Sequence, residues 1–553
     1  MVFFIFIGFH LFFSLENCDS MSSEQFCGHI AESRREFVRA MMLHAWSGYK
    51  RYAWGANEVR PISKIPHTQG IFGGQGSGLA ATIVDSLDTL LIMGLSEQYE
   101  EARDYIRDNF NISRVTGTLS VFETNIRFLG GLLSAYAITN EDFYVNLSKS
   151  IAEVLLKAFN TPTSIPKSSV NPSTGEISNY GWAEGGSSIL SEFGSLHLEF
   201  AYLSKVTSNL SYKEKVQKIR DHLDKIEKID GGLYPNYMSP ETGEWMGSHV
   251  SLGAMGDSFY EYLLKSYILT NRSDAQAWRM YTAAMDAVQE KMIRKSKGGL
   301  WYVAESRNGI LEHKMSHLSC FCVGMFALQS KYETSPDRAR GFMRLAEELG
   351  RTCHESYVRS KTGIGPEVFS FVNGNEAKAP ADQRHYILRP EVIEGWFYLW
   401  RLTGKPVYKE WVWRAVQAIE TYCRREAGYT GITNVYSSKP GSDDVQQSYF
   451  LAETLKYAYL TFTNSSVMSL DKWVFNTEAH PLPIWTGTGT GTADGTGLAM
   501  ENAFGDFSRR EPVVASGVNR AARLSRRSVK RATNESKLAK LSARGKSRQR
   551  RRA

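Results

Sequence analysis

The chain has 553 residues, of which 12% are aromatic and 22% are charged, and this composition excludes a largely disordered protein. Its net charge of +7 is located at the C-terminal end, because residues 486–553 contain 16 Lys and Arg against five Asp and Glu. The rest of the chain is mildly acidic, which excludes a basic nucleic-acid-binding surface on the folded body.

The N-terminal segment from Val2 to Ser14 is almost entirely apolar. Its length suits the core of a secretory signal better than a membrane span of about 20 residues. We predict a signal peptide or a short signal anchor over residues 1–20 and a luminal stem over 21–36. Six N-x-S sequons agree with a luminal protein. Their asparagines are Asn111, Asn146, Asn209, Asn271, Asn464 and Asn534.

A repeated helical pattern occupies the middle of the chain. Seven apolar helical segments recur, each opened by a polar or acidic residue, and most are followed by a more polar helix. They begin near Asp85, Glu123, Glu192, Asp257, His317, Glu391 and Ser448. Helices that are apolar all round must be enclosed, whereas amphipathic helices face water. The pattern therefore predicts an all-α fold, an (αα)7 barrel over residues 37–485.

An open solenoid of the tetratricopeptide or HEAT type is the alternative architecture. The helical segments are irregularly spaced, and Gly-rich connections such as residues 229–245 and 296–306 separate some of them. Irregular loops of this kind favour a barrel with functional loops at one end.

Acidic residues open several of the apolar segments, so closing the ring would gather carboxylates at one end of the barrel. Pairs spaced three or four residues apart share one helix face, and these are Asp85 and Asp88, Asp257 and Glu261, and Glu391 and Glu394. Any single pair could instead be a solvated helix start. Crowded carboxyl groups with different pKa values provide the acid and the base that glycoside hydrolysis needs.

The sequence N-T-E-A-H-P at residues 476–481 follows the last apolar segment. It places a hydroxyl group, backbone carbonyls and Glu478 close together, and such oxygen donors suit Ca²⁺. Read alone, the element could also be an ordinary turn before a proline.

Several of these segments resemble the class I α-mannosidases, glycoside hydrolase family 47. The resemblance runs from Phe37 to Leu482. The motifs that carry it include ATIVDSLDTLLIMGL, SVFETNIRFLGGLLSAY, GDSFYEYLLK, HKMSHLSCF, LRPEVIEGWFYLWRLTG, SYFLAETLKYAYLTF and VFNTEAHPL. The resemblance implies an (αα)7 barrel and a calcium-dependent, inverting exo-α-1,2-mannosidase that acts on high-mannose N-glycans of glycoproteins.

Individual residues take roles from the same resemblance. It implies that Glu123 is the general acid, that Glu391 is the base that activates water, and that Asp257 is a third catalytic carboxylate. Thr477 is implied to bind calcium directly, with carboxylates acting through water. The residues implied to bind substrate are Asp85, Glu261, His317, Arg389, Glu394, Glu453 and Glu478. Cys320 and Cys353 match a structural disulfide, which leaves Cys322 and Cys423 as buried thiols.

The residue two positions before Asp257 distinguishes the subfamilies that the chain resembles. Endoplasmic-reticulum enzymes have an arginine there and Golgi enzymes do not, and this chain has Met255. We therefore expect the Golgi-type specificity that removes several mannoses. We also expect a monomer of the secretory-pathway lumen, with the signal peptide or short signal anchor at its N-terminus and a disordered basic tail over 486–553. A mannose-binding lectin on the same barrel and an unrelated αα-barrel hydrolase are the alternatives.

Overall fold

The computed structural model describes residues 23–68, 70–74, 78–372 and 376–486, and all of these belong to one compact unit. The predicted signal or anchor over 1–20 and the predicted tail from residue 487 onward lie outside them. Within the described ranges, no helix combines the length and the apolar composition that a bilayer crossing requires.

Fourteen helices in this part of the chain form seven inner–outer pairs, of which six are hairpins of consecutive helices and the seventh joins the first helix to the last. In chain order they are α1 (Ser23–Ala53), α2 (Ala81–Ile92), α3 (Ser96–Asn109), α4 (Gly130–Thr139), α5 (Phe143–Leu156), α6 (His197–Thr207), α7 (Leu210–Lys225), α8 (Asp257–Leu269), α9 (Ala275–Lys291), α10 (Cys322–Tyr332), α11 (Pro336–Val358), α12 (Glu391–Thr403), α13 (Val407–Tyr422) and α14 (Leu455–Thr461). The even-numbered helices form an inner ring and the odd-numbered helices an outer ring.

Short helical turns extend four inner helices at their N-terminal ends. The turns before α4 are Val121–Glu123 and the π-helical Thr124–Leu129, the turn before α6 is Leu190–Gly194, the 3-10 turn before α10 is Leu318–Phe321, and the π-helical turn before α14 is Phe450–Thr454. Each inner helix, taken with its turn, contacts the next one, and the turn before α14 contacts α2. The inner ring therefore closes, which confirms the predicted (αα)7 barrel and excludes an open solenoid.

Local sequence explains where several helices begin and end. Ser335 caps α11 by accepting from the backbone N of Arg338, and Pro336 occupies the first turn. Gly404 ends α12 in the left-handed conformation with φ 68°. Eleven of the twelve residues of α2 are buried, as expected for a helix enclosed on all sides.

Short antiparallel strands lie in the loops that lead into the inner helices and in the segment that follows α14. They are β1 (Glu58–Arg60), β2 (Ile65–His67), β3 (Leu119–Ser120), β4 (Ser169–Val170), β5 (Ile177–Ser178), β6 (Ser188–Ile189), β7 (Tyr237–Met238), β8 (Ile293–Lys295), β9 (Trp301–Val303), β10 (Glu305–Arg307), β11 (Ile310–Glu312), β12 (Lys314–Ser316), β13 (Val368–Ser370), β14 (Arg424–Arg425), β15 (Gly428–Tyr429), β16 (Trp473–Phe475) and β17 (Pro481–Pro483). β3, β4 and β5 form one three-stranded sheet, and the other strands pair in twos. These pairings fix the loops at the end of the barrel where the inner helices begin.

Helix α1 crosses the predicted boundary between stem and barrel at residue 37. It is continuous from Ser23 to Ala53, and Arg34 donates to both carboxylate oxygens of Glu410 on α13, at 2.6 and 3.0 Å. Part of the predicted stem therefore packs on the barrel. The sequon asparagines that the structure describes are all exposed, as glycosylation requires, and these are Asn111, Asn146, Asn209, Asn271 and Asn464.

Candidate active site

The N-terminal ends of the inner helices converge on a group of carboxylates. Asp257 and Glu391 are the first residues of α8 and α12. Glu123 lies in the turn before α4, and Glu453 lies in the π-helical turn before α14. A helix N-terminus favours negative charge, so these positions suit carboxylates that face one another across the barrel.

Arg127 links three carboxylates from different parts of the chain. Its Nε donates to Glu123 Oε2 at 2.7 Å, and its terminal nitrogen lies 3.5 Å from Asp85 Oδ2 and contacts Glu478. Burial alone would lower the pKa of the guanidinium, but the charges of Glu478, Glu123 and Asp85 raise it well above its usual value. Arg127 therefore fixes the orientation of Glu123 with a permanent positive charge.

Glu391 is held by His317 and Arg389. His317 Nδ1 lies 2.7 Å from Glu391 Oε2, and its Nε2 lies 2.7 Å from the hydroxyl oxygen of Tyr357. Arg389 donates twice to Glu367, at 2.7 Å each, and lies 3.8 Å from Glu391 Oε1. This arrangement orients Glu391 while its side chain stays 11% exposed.

Asp257 lies between two other carboxylates. Its Oδ1 accepts from the backbone N of Ser258 at 2.8 Å. Burial, and then the negative charges of Glu261 and Glu391, raise the pKa of Asp257 to about 7. A carboxyl group with this pKa still carries a proton in part of the molecules at neutral pH. Lys265, one helical turn after Glu261, donates to the carboxylate of Glu261.

Three further carboxyl groups have few positively charged partners. Burial, followed by the charges of Glu478 and Glu394, raises the pKa of Glu453 well above its usual range. Burial also raises the pKa values of Glu394 and Glu478 to about 8, although Lys265 and Arg127 oppose these shifts. A bound cation would favour the ionised forms of these carboxyl groups and lower their pKa values.

A fully buried ion network lies behind these groups. Asp88 accepts from Ser134 at 2.8 Å, and its carboxylate lies 2.8 Å from Lys456 Nζ and 2.7 Å from His480 Nδ1. Burial would raise the pKa of Asp88, but the charges of Lys456 and His480 lower it to about 2. Asp85 belongs to the same layer and has no exposed surface, and it is joined to Glu123 through Arg127.

The segment from Asn476 to His480 is held in one conformation by its own polar groups. Asn476 Oδ1 accepts from the backbone N of Glu478 at 2.9 Å and of His480 at 2.8 Å. Lys456 donates to the carbonyl of Ala479 at 2.6 Å. In the part of the chain that the structure describes, no donor is paired with the carbonyl oxygen of Thr477. The turn that the sequence allowed is therefore present. It leaves the carbonyl oxygen of Thr477 available to bind a ligand.

The donor set around Thr477 fits calcium better than a transition metal. No three His, Cys, Asp or Glu side chains of the described residues are placed to hold a metal ion together. Hard oxygen atoms do surround the segment, from the hydroxyl and carbonyl of Thr477 and from the neighbouring carboxylates, and these suit a cation that also binds water.

Unusual backbone conformations accompany the site. Arg127 and Glu453 both lie in π-helical turns, which are frequent at functional sites. Three non-glycine residues beside site carboxylates have left-handed φ angles, and these are Met255 at 76°, Leu388 at 68° and Ala479 at 58°. Such strain persists only where the surrounding structure enforces it.

Several residues of this site were missed by the sequence analysis. Arg127 follows Glu123 by four residues, a spacing that could have signalled the ion pair. Glu367 and Lys456 gave no such signal, because their partners Arg389 and Asp88 are distant in the chain. The disulfide between Cys320 and Cys353 is present, and Cys322 and Cys423 are buried thiols, as predicted.

Comparisons with known proteins agree with this geometry. The model of the family described as glycosyl hydrolase family 47 matches residues 41–484. A mannosyl-oligosaccharide 1,2-alpha-mannosidase of Caenorhabditis elegans is 59% identical over 454 residues, which are 82% of this chain and 76% of that protein. The human mannosyl-oligosaccharide 1,2-alpha-mannosidase IB is 51% identical over 82% of this chain and 70% of its own. The solved alpha-1,2-mannosidase from Trichoderma reesei is 28% identical, with a TM-score of 0.75 over 82% of this chain and 99% of its own.

Proposed function

The chain belongs to glycosyl hydrolase family 47, and we therefore propose that it is an inverting exo-glycosidase that releases terminal α-1,2-linked mannose from high-mannose N-glycans. The observation that carries the proposal is the pair of carboxylates Glu123 and Glu391. They lie on different inner helices, each is oriented by donor side chains, and they are 22% and 11% exposed. A sugar can therefore reach both groups.

Glu391 is the base in this reaction. Its position against His317 directs one carboxylate oxygen into the protein and leaves the other to take a proton from water. Glu123, held by Arg127, protonates the glycosidic oxygen as its bond to the terminal mannose breaks, and this oxygen leaves as a hydroxyl group of the remaining glycan. Asp257 is a second proton source, because its pKa of about 7 keeps part of the population protonated.

The remaining polar residues bind and orient the terminal mannose. We assign this role to Glu261, Arg389, Glu394, Glu453 and Glu478. Asp85 and His317 act through the groups they contact, since Asp85 reaches Arg127 and His317 reaches Glu391. Neutral sugar hydroxyls are suitable partners for such a set because they donate to carboxylates without adding charge.

We propose that calcium binds at Thr477 through its hydroxyl and carbonyl oxygens, with the carboxylates contacting the ion through water. When bound, the ion would supply positive charge that orients the sugar hydroxyls and offsets the crowded carboxylates. Chelation should abolish mannose release and lower the melting temperature. A cation at 1,000 times its Kd stabilises the folded state by about 4 kcal/mol. A metal-free protein with an unchanged melting curve would contradict the proposal.

Met255 supports the specificity that removes several mannoses. Its thioether accepts from the hydroxyl of Tyr237 at 2.6 Å, so this position has no guanidinium to bind a branch sugar rigidly. We assign the protein to the secretory-pathway lumen, in the Golgi rather than the endoplasmic reticulum. Met255→Arg should narrow the products toward removal of a single mannose, whereas Met255→Leu should leave the product pattern unchanged.

Incubation with a free high-mannose oligosaccharide tests the proposed function. We expect the release of several mannose residues. Mass spectrometry of the shortened glycans measures how many are removed. α-1,2-Linked mannobiose should be cleaved and the α-1,3- and α-1,6-linked isomers should not. Binding of the glycan without release of mannose would instead indicate a lectin on the same barrel.

A further inference from the structure

An exposed aromatic pair lies between β5 and β6. The side chain of Trp182 is on the surface, with 62% of the residue exposed. Its ring stacks on Tyr180 with the centroids 5.3 Å apart and the planes 7° from parallel. A buried indole ring stabilises a folded protein, whereas the exposed ring of Trp182 contributes little to its stability. The exposed ring offers a flat apolar face on which a ligand ring can stack.

The sheet formed by β3, β4 and β5 connects this aromatic pair to the catalytic carboxylate Glu123. Ser169 on β4 pairs with Ser120 on β3 and with Ser178 on β5. Ser120 accepts from the backbone N of Glu123 at 3.2 Å. Tyr180 follows β5 by two residues, and burial, followed by the charge of Glu192, raises its pKa to about 12. The inner side of the aromatic pair therefore borders the acidic site, and its outer side faces solvent.

Hydrogen bonds hold the loop in one conformation. Asn179 donates to the carbonyl of Gly186 at 2.7 Å and accepts from the backbone N of Ser168 at 2.8 Å. The backbone N of Ala183 donates to the carbonyl of Tyr180 at 3.0 Å. A small apolar cluster anchors the loop, and its members are Ala183, Ile189 and Tyr237 with Tyr180, Met246 and Met255 packed against them. A ligand would meet a preformed surface, which lowers the entropic cost of binding.

We propose that Trp182, supported by Tyr180, is a stacking platform for mannose residues on the leaving-group side of the scissile bond. The inference rests on the proposed function, in which Glu123 protonates the leaving oxygen and therefore lies on that side. The sugars that follow the cleaved mannose must pass near Glu123, and the loop carrying Trp182 is attached to the same sheet.

The chemistry of the platform favours a neutral sugar. The apolar face of a pyranose ring covers an indole well, whereas the exposed carboxylate of Glu184 in the same loop opposes an anionic ligand. The exposed ring face therefore favours the glycan arm as its occupant.

The test compares a long and a short substrate. We compare kcat/KM for a branched high-mannose oligosaccharide with kcat/KM for α-1,2-mannobiose. Trp182→Ala should lower the ratio of the first value to the second by about tenfold, mainly because KM for the oligosaccharide rises. The disaccharide is too short to extend along the loop. Trp182→Phe should recover most of the ratio because it retains an aromatic face.

Trp301→Ala provides a matched control. Trp301 is also exposed, but it lies on β9 against Lys295 and contacts Thr352 through its carbonyl. Its replacement should leave both kcat/KM values unchanged. If the ratio of the two kcat/KM values is unchanged in Trp182→Ala, the platform is refuted. It is also refuted if kcat/KM falls equally for both substrates while the melting temperature falls. A wild-type protein that cleaves neither substrate would instead refute the proposed function.

Discussion

Replacing Arg127 with methionine tests whether one buried cation organises the carboxylates of the site. Methionine fills most of the arginine volume but carries no charge, so packing changes little. Glu123, Asp85 and Glu478 would lose their shared partner. We expect the protein to be less stable and to release mannose much more slowly.

The burial of the three partners determines how much stability the protein loses when Arg127 is replaced. A unit charge pair at about 4 Å interacts by about 4 kcal/mol at an effective dielectric constant near 20. Asp85 and Glu478 are buried and cannot recover this energy from water, whereas Glu123 is 22% exposed and contributes less. Removing one partner of a buried pair typically costs about 3–5 kcal/mol, and we expect Arg127→Met to lower the free energy of unfolding by about this amount.

Urea unfolding followed by tryptophan fluorescence measures the stability, and mannose release at 25 °C measures the activity. We expect kcat/KM to fall by about 100-fold or more because Glu123 loses its orientation. Arg220→Met is the matched control. Arg220 is equally buried and contacts Asp274 and Ser266 on the outer side of the barrel, so its loss should cost similar stability but leave kcat unchanged.

A stability loss under about 1 kcal/mol for Arg127→Met would show that the carboxylates do not depend on this cation. Equal losses of kcat in the Arg127 and Arg220 variants would show that reduced stability, and not the orientation of Glu123, explains the effect.

Three further predictions address the site and the fold. Glu123→Gln and Glu391→Gln should each lower kcat by about 100-fold or more with the fold intact by circular dichroism, and near-normal turnover would remove that residue from its role. Because the folded-state pKa of Asp257 is raised to about 7, its ionisation opposes folding, and stability should fall with rising pH between about 4 and 7, by about 1.4 kcal/mol per pH unit. Asp257→Asn should therefore have a higher melting temperature than the wild type at pH 8 and a similar one at pH 4. An equal or lower melting temperature of the variant at pH 8 would contradict the raised pKa of Asp257. Replacing both Cys320 and Cys353 with alanine opens a loop of 33 residues and should cost about 4 kcal/mol of stability, whereas an unchanged urea midpoint would show that the disulfide is dispensable.

Periodicity in the sequence was sufficient to predict the barrel. Inner helices such as α2 must be enclosed because apolar residues cover all their sides, and the inner ring closes as that pattern required. The spacing from Asp257 to Glu261 and from Glu391 to Glu394 also places each pair on one helix face. These features depend on local chemistry, which a single sequence contains.

The electrostatic pairing could not be predicted in the same way. Lys456 and Asp88 are separated by most of the barrel in sequence, and only closure of the ring brings them to 2.8 Å. The π-helical turns at Arg127 and Glu453 also lack a local sequence signal, because they depend on packing against neighbouring helices. The layer behind the catalytic carboxylates therefore emerges only from the three-dimensional structure.

Proton NMR of α-1,2-mannobiose during hydrolysis tests the central claim most directly. Glu391 activates water in this account, so water attacks the face opposite the leaving group and the first product is β-mannose, which then mutarotates. The β-anomeric signal should appear before the α signal, and Glu391→Gln should delay both. Initial release of α-mannose would contradict the inverting mechanism and the role of Glu391 as base, and the absence of any mannose would contradict the assignment as a hydrolase.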